Sequence, residues 1–365
     1  MKTLKLHTGL LPVLAFFVFF PQVIAQQEYV LLVGKTPDGE KVTANIVRHD
    51  NRIFGFFDYP AKRSVPFLLG GTAGENNQLK LTERDSENPL FTGFLNSENT
   101  LEGFIYLDGK QIPIRLDRTG DKESVENQVF ATTIIKPLNG EPGSPVAVFE
   151  AVIVLPKTAD ASRNEKIKTL IYKEFFKSTP ELSPADLLKN MEQDFIKFYS
   201  HSNEGIRVAD NYQYMNWEKR KRMSVLHNAR GILVLHLSDY AYTGGTGGLD
   251  MQRFLVVDKE TGNKLSLNDV MLPGKMQLLN ALIRDEICRS LNIPYSDDLL
   301  SHGFFSNTTE PASNFYFSDS GLCFHYNVYE IANAATGPVS VCLPYHSIRG
   351  LASQKYLPDV VMQEN

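Results

Sequence analysis

The chain has 365 residues, of which 42% are hydrophobic and 22% charged, and its formal net charge at pH 7 is −5. This composition is typical of a globular protein and excludes disordered and collagen-like chains. The mildly negative charge makes nucleic acid and anionic lipid poor partners and favours a basic partner.

The N-terminal residues 1–25 have the features of a secretion signal. Lys2 and Lys5 precede the apolar run LLPVLAFFVFF, and a cleavage site of the small-residue type ends at Ala25. This run is shorter than the roughly 20 apolar residues that span a bilayer, and no later run reaches that length. We therefore predict a cleaved signal peptide and an exported mature protein, periplasmic or extracellular, without a membrane span.

Residues 26–118 are predicted to form an all-β meander domain. Short β-like runs alternate with turn signals such as Asp108-Gly109, and helical periodicity is absent. Glycine next to phenylalanine recurs in these runs, and glycine relieves crowding where strands curl. The pattern favours a small antiparallel barrel or a strongly bent sheet. The pairs are Gly55-Phe56, Gly93-Phe94 and Gly103-Phe104.

Residues 119–130 are polar and charged without apolar periodicity, which is typical of a linker. The remainder, residues 131–360, combines predicted strands with helical segments, one of which begins with Ser183 as N-cap and Pro184 at the first helical position. This order predicts an α+β domain with helices packed on an antiparallel sheet. The helical segments are RNEKIKTLIYKEFFK, SPADLLKNMEQDFIKFYS and GKMQLLNALIRDEICRSL.

The segment SDYAYTGGTGGL, residues 238–249, is rich in glycine and follows an apolar run. A phosphate-binding loop ends in Gly-Lys-Ser/Thr, and a dinucleotide motif places Gly-x-Gly-x-x-Gly between a strand and a helix. Neither pattern is present, and another predicted strand follows Gly248. We therefore predict a hairpin connection in which glycine supplies positive φ, and we predict no nucleotide or other cofactor.

The cysteines leave the redox state open. Cys288 lies in a helical segment and is expected in the core. Cys323 and Cys342 lie on two runs that can be neighbouring strands, so they can form a disulfide or remain buried free thiols.

Few residues suggest catalytic or metal chemistry. No histidine pair has the i, i+4 spacing of a helical zinc site and Cys-x-x-Cys is absent, so no metal is predicted. Cys323 and His325 would share a strand face, where a thiol beside an imidazole can act as a nucleophile; two packed core residues are the favoured interpretation. The basic run EKRKRM, residues 218–223, can grip an acidic glycan or, as we favour, form the solvated face of an edge strand.

Two motifs carry a resemblance to a known family: Tyr242-Thr243-Gly244-Gly245, and Tyr329-Glu330-Ile331-Ala332 followed by Gly337-Pro338. Residues 145–350 resemble a domain of unknown function found in exported bacterial proteins. It occurs in RsiV-type lysozyme-sensing anti-sigma factors and in the N-terminal part of PdaC-type peptidoglycan deacetylases. Thr246-Gly247 stands where the family has Ala-His, so any role of that histidine is absent here.

The resemblance implies a non-catalytic exported binding protein that recognises a lysozyme-like or other cell-wall-related protein, which the acidic charge also suits. Binding of peptidoglycan or another glycan is the alternative, because tyrosines suit sugar stacking as well as protein interfaces. A hydrolase that uses Cys323 and His325 is a weaker alternative. The candidate ligand-binding residues lie in or beside the two motifs: Tyr240, Tyr242, Thr243, Gly244, Gly245, Tyr326 and Tyr329.

Overall fold

The computed structural model describes residues 27–74, 77–83, 86–119, 125–139 and 143–358. The predicted signal peptide, residues 1–25, lies outside the described residues and stays a prediction. No helix within the described ranges is both long enough and apolar enough to cross a membrane.

The N-terminal strands form a closed antiparallel barrel, as the meander pattern predicted. The strands are β1 (Gln27–Lys35), β2 (Lys41–His49), β3 (Arg52–Asp58), β4 (Phe67–Ala73), β5 (Gln78–Glu83), β6 (Pro89–Leu95), β7 (Leu101–Leu107) and β8 (Lys110–Arg118). Each strand pairs with its sequence neighbour, and β1 closes the barrel by pairing with β8, where Leu32 lies opposite Arg118. Alternating apolar residues such as Leu32, Ile46 and Phe91 fill the interior.

Two glycines face each other where β6 and β7 pair, with Gly93 opposite Gly103. A Cβ at Gly103 would lie 2.6 Å from the Gly93 Cα and 2.1 Å from the Thr92 carbonyl oxygen. The Phe91 ring lies 2.9 Å from the same Cβ position. Only residues without a Cβ let these two strands approach so closely, which is the crowding that the glycine–phenylalanine pairs predicted.

A five-stranded sheet follows the barrel, and we call it the mixed sheet. Its strands are β9 (Glu126–Pro137), β10 (Val146–Lys157), β11 (Trp217–Ala229), β12 (Ile232–Tyr242) and β13 (Leu249–Asp258), in the order β13-β12-β11-β10-β9. The sheet differs from the predicted antiparallel one at a single pair, because β10 and β11 are parallel. The helical connection over residues 158–216 is long enough to return the chain in the same direction.

Strand β9 begins inside the segment that the sequence indicated as a linker. Residues 126–130 of that segment belong to the mixed sheet, and Val129 joins its core. The strand is at the sheet edge, so most of its side chains remain partly exposed and its first residues can be polar.

Helices cover one face of the mixed sheet. Helix α1 (Ala161–Ile171) continues into a π-helical turn, α2 (Pro184–Ser202) follows, and the short α3 (Val208–Asn211) precedes β11. Ser183 caps α2 as predicted, because its side chain accepts a hydrogen bond from the Asp186 N–H at 3.1 Å. Apolar residues of α1 and α2 cluster chiefly with the odd-numbered residues of β10 to β13.

A C-terminal unit and the barrel share the opposite face of the mixed sheet. The unit contains α4 (Leu267–Val270), α5 (Met276–Ser290) and an antiparallel C-terminal sheet of β14 (Phe315–Phe317), β15 (Gly321–Tyr326) and β16 (Val339–Pro344). Its core includes Val234 and Val256 of the mixed sheet. Cys288 is buried in α5, as predicted.

Strands β2 and β3 dock the barrel on the mixed sheet. Ile53 and Phe57 point into the barrel, so the intervening Phe54 and Phe56 point outwards. Phe54 joins the core of the mixed sheet and Phe56 joins the core of the C-terminal unit. The Asn45 side-chain amide donates a hydrogen bond to a backbone carbonyl of β11 at 2.8 Å, which fixes β2 against this strand.

Candidate functional site

The glycine-rich segment connects β12 to β13 as a hairpin, which confirms the prediction. Ala241 pairs with Leu249 in antiparallel register. Gly244 and Gly245 have φ values of +89° and +116°, which L side chains rarely adopt. Strand β13 begins directly after Gly248, so this loop presents no helix N-terminus to a phosphate.

Exposed aromatic and apolar side chains lie in this hairpin and in the helical connection that contacts it through Tyr214, and we call them the loop rim. Gly244 lies directly on Tyr214, because a Cβ at Gly244 would be 2.8 Å from the Tyr214 carbonyl oxygen. That oxygen accepts a hydrogen bond from the Trp217 indole at 3.1 Å, and the Phe198 ring packs on Trp217 at 5.5 Å. The loop rim consists of Phe198, Tyr212, Tyr214 and Leu249, which are exposed, and of the half-buried Tyr242.

The two candidate tyrosines of β12 have different environments. The Tyr242 hydroxyl donates to the Gly245 carbonyl at 3.3 Å and so braces the loop, in which Thr243 and Gly245 are exposed. Tyr240 projects towards the barrel instead, and the Arg220 guanidinium covers its ring at 4.5 Å. The arginine therefore occupies one face of this ring, which is lost to sugar stacking.

The two candidate tyrosines in or near β15 differ in their exposure to solvent. Tyr326 is 3% exposed and its hydroxyl donates to the Glu310 carbonyl at 2.7 Å. It is a core residue rather than a surface contact, because every side chain of β15 is buried. Tyr329, in contrast, is 66% exposed and has a φ of +69°. Such a conformation is uncommon for a bulky residue, and backbone strain of this kind clusters at functional sites.

Two asparagines bind the outer edge of β13. The side-chain oxygen of Asn327 accepts from the Gln252 N–H at 2.7 Å, and that of Asn314 accepts from the Phe254 N–H at 2.9 Å. These amides take the place of a neighbouring strand. Gln252 is the fourth residue of β13. The turn that contains Tyr329 is therefore anchored about 10 Å from the rim residue at the start of β13.

The basic run EKRKRM lies in β11, which is paired on both sides, so the prediction of a solvated edge strand is wrong. Lys221 lies on the helix side of the mixed sheet, with its ammonium 3.2 Å from Asp239. Arg222 projects to the barrel side and pairs with the fully buried Glu150, which also pairs with Arg52. Burial lowers the pKa of Arg222 to about 10, so its guanidinium stays charged at neutral pH.

A cleft lies between the barrel and this face of the mixed sheet. Its first cavity has a volume of about 270 Å³, and strands β3 and β4 supply an apolar wall that includes Phe54, Leu68 and Gly70. A second cavity of about 390 Å³ shares Leu68 and Glu83 with the first and extends towards the C-terminal sheet. The mixed sheet supplies a polar wall to the first cavity, formed by Arg220, Arg222, Ser224, His236, Ser238, Tyr240 and Asp250.

Cys323 and Cys342 lie opposite each other on β15 and β16 and form a disulfide. The Cys323 sulfur is therefore not a thiolate nucleophile in this form. His325, on the same strand, has its Nδ1 2.7 Å from the Ser340 hydroxyl. Within the described ranges, no group of His, Cys, Asp and Glu side chains is arranged to hold a metal ion.

A buried acidic pair joins the barrel to the C-terminal unit. Asp58, the last residue of β3, accepts a hydrogen bond from the Asp319 N–H at 2.7 Å. The Asp319 carboxylate lies 2.7 Å from the Lys41 ammonium and 3.7 Å from the His227 Nδ1. Burial, and then the charge of Asp319, raises the pKa of Asp58 to about 7. Burial also lowers the pKa of His227 to about 3, so this imidazole is neutral at physiological pH.

The fold and the site define an antiparallel barrel joined to an α+β unit, with a cleft between them. Residues 268–346, which contain α5 and the C-terminal sheet, match a family described as a protein of unknown function, DUF3298. A crystal structure of a DUF3298 family member from Bacteroides fragilis has a similar fold, with 21% identity and a TM-score of 0.57 over 66% of this chain and 98% of that chain. A DUF3298 family protein from Pseudomonas aeruginosa aligns with 15% identity and a TM-score of 0.47 over 64% of this chain and 97% of that chain.

No curated protein matches the chain. The family match supports the predicted relation to a domain of unknown function for residues 268–346, and the Bacteroides fragilis structure supports the fold. The further link to RsiV-type and PdaC-type proteins stays a prediction.

Proposed function

We propose that this protein is an exported, non-catalytic binding protein that recognises a basic cell-wall-related protein through the loop rim. The observation that carries the proposal is the exposure of four large side chains around the glycine-rich loop. Phe198, Tyr212, Tyr214 and Leu249 are between 46% and 58% exposed. Exposed aromatic and apolar side chains are typical of protein interaction sites, where tyrosine is enriched among the residues that dominate affinity.

The net charge of this protein and its family resemblance both favour a basic partner of the lysozyme type. The formal net charge of −5 is complementary to a basic protein, and such complementarity accelerates association at low salt. The resemblance to lysozyme-sensing proteins makes a lysozyme-like enzyme the first partner to test. The predicted signal peptide supports an encounter in the periplasm or outside the cell.

The proposal is tested by calorimetric titration of the purified protein with a c-type lysozyme at low and moderate salt. We expect saturable binding that weakens as salt rises, because the charge complementarity is screened. Replacing Tyr214→Ala together with Leu249→Ala should weaken binding at least tenfold, since two exposed rim side chains are removed.

A matched control uses Tyr295→Ala together with Leu278→Ala. These two side chains are 50% and 54% exposed, close to the 48% and 54% of the rim pair, and they lie outside the loop rim. The control variant should bind like the unmodified protein. Equal affinity of the rim variant and the control variant, or no heat with lysozyme, would defeat the proposal.

Glycan binding is a second candidate function. The observation that favours it is the cleft, whose polar wall lies opposite an apolar one. The covered Tyr240 ring and the buried Tyr326 argue against the tyrosine platform that the sequence suggested, so the cleft is the better location for a sugar.

A further inference from the structure

The polar wall of the cleft arises from the register of three strands. Arg220 lies opposite Tyr240, and Tyr240 lies opposite Asp250. Because strand side chains alternate, the even-numbered residues of β12 and β13, and those of β11 before its register shift at Val225, project together towards the barrel. Arg222 and Ser238 form the next row.

Most polar groups of this wall are paired within the protein, and among the described residues one buried N–H of the wall forms no hydrogen bond. Ser238 donates a hydrogen bond to the Asp250 carboxylate at 2.9 Å. The Arg220 Nε lies 3.1 Å from a Glu218 carboxylate oxygen, but this buried N–H forms no hydrogen bond. A buried N–H that forms no hydrogen bond is uncommon in folded proteins. This free hydrogen-bonding capacity of the Arg220 Nε–H indicates that the wall can bind a polar group of a ligand.

The charges around the first cavity cancel. The lining contains two arginines, Arg220 and Arg222, and two acids, Glu83 and Asp250, so its formal charges sum to zero. Arg222 is itself paired with Glu150, and Glu83 with Arg63. Such a lining favours a neutral ligand that both donates and accepts hydrogen bonds over an anion or a cation. The opposite wall, with Leu68 of β4, offers contact to an apolar face of the same ligand.

We propose that the cleft binds a neutral sugar residue, with the C–H face of the ring against the barrel and its hydroxyl groups towards the mixed sheet. This inference rests on the glycan-binding candidate and is independent of the loop rim. The cavity of about 270 Å³ equals the volume of about nine water molecules, which is enough for one sugar ring. The adjoining cavity of about 390 Å³ accommodates a second, linked unit.

Gly70 keeps the cavity open. It lies in β4 on the cleft wall, and a Cβ at this position would meet no heavy atom within 4 Å. Its φ lies outside the left-handed region, so a larger residue is tolerated by the backbone. Gly70→Leu should therefore fill the cavity without unfolding the barrel. Gly350 also has open space around its Cβ position and lies outside the cleft, so Gly350→Leu is a matched control.

The experiment is a calorimetric titration of the purified protein and the two glycine variants with a panel of saccharides. The panel contains glucose, N-acetylglucosamine, cellobiose, N,N′-diacetylchitobiose and, as an anionic probe, glucuronic acid. We expect saturable one-to-one binding of a neutral saccharide, with tighter binding of its disaccharide. Gly70→Leu should weaken this binding at least tenfold, and Gly350→Leu should leave it unchanged.

A further variant tests the polar wall. Asp250→Asn keeps the shape of the side chain and removes its charge, and it should weaken binding of the same saccharide severalfold. The inference is overturned if no neutral saccharide binds, if glucuronic acid alone binds, or if Gly70→Leu binds like the control. Equal affinity for one and two sugar units overturns the role of the second cavity. Lysozyme binding is measured separately with the rim variants, so failure of one proposal is distinguishable from failure of the other.

Discussion

Replacing Asp58→Asn should remove a pH-dependent loss of stability at the contact between the barrel and the C-terminal unit. Asp58 is 3% exposed and lies against Asp319, so its charged form is disfavoured in the folded protein. Asparagine has nearly the same shape, and its side-chain oxygen can still accept the hydrogen bond from the Asp319 N–H. The substitution therefore removes the charge and keeps the main contact.

The sign and size of the effect follow from the pKa shift. The pKa of Asp58 rises from 3.8 to about 7 on folding. The folded state then binds the proton more tightly, so the stabilisation is fully present below about pH 4 and is lost as the pH rises through about 7. At about 1.4 kcal/mol per pKa unit, the loss between pH 4.5 and pH 8 is about 3 kcal/mol. His227 has the opposite sign, because its pKa is lowered and its contribution grows as the pH rises to about 6.5.

Urea unfolding of the unmodified protein and the variant, at half-unit steps from pH 4.5 to pH 8, measures this difference. Subtracting the two free energies of unfolding cancels His227, which both proteins share. We expect the variant to gain about 3 kcal/mol relative to the unmodified protein across this range. The exposed Asp38, in the turn between β1 and β2, provides the control substitution Asp38→Asn. If the free energy of unfolding changes with pH in the same way for the unmodified protein and Asp58→Asn, the reasoning is refuted.

Two further predictions concern the stability of the C-terminal sheet and of the barrel. The disulfide between Cys323 and Cys342 closes a loop with a sequence separation of 19. Reduction of this disulfide should lower the free energy of unfolding by about 3 kcal/mol, which urea unfolding measures. Thiol counting confirms that the disulfide is reduced, and an unchanged urea midpoint in the reduced protein would then contradict the prediction. Gly103→Ala should destabilise the barrel by about 2 kcal/mol or more, because the new Cβ would lie 2.6 Å from the Gly93 Cα. Thermal unfolding of Gly103→Ala is compared with that of Gly350→Ala, whose new Cβ would have no heavy atom within 4 Å. A similar loss of stability in both variants would contradict the crowding argument.

The barrel could be predicted from sequence because its information is local. Each strand is bounded by its own turn, and each pairs with its neighbour along the chain, so no distant partner has to be inferred. The parallel pair of the mixed sheet could not be found in this way. It depends on how residues 158–216 return across the sheet, and the polar start of β9 at Glu126 resembles a linker because its sheet edge is exposed.

The candidate tyrosines show where local patterns fail. Strand alternation predicts one buried and one exposed face, but β15 lies inside the core and all its side chains are buried. Tyr326 therefore belongs to the core, whereas Tyr329, three residues later in a turn, is exposed. The rim residues Phe198, Tyr212 and Tyr214 could not be predicted, because they come from the helical connection, which meets the glycine-rich loop at Tyr214 only in the folded chain.

The basic run in β11 contains two residues of the cleft, Arg220 and Arg222, but the run alone does not predict the cleft. A run of charges suggests one solvated surface, but consecutive strand residues point to opposite faces. The run therefore divides: Lys221 meets Asp239 on the helix side, while Arg222 meets Glu150 on the barrel side. The neutralising acids lie on neighbouring strands, so the pairing depends on the strand register. Alternating charged residues within a predicted strand thus indicate two separate polar environments, and in this protein one of them is the wall of a cavity.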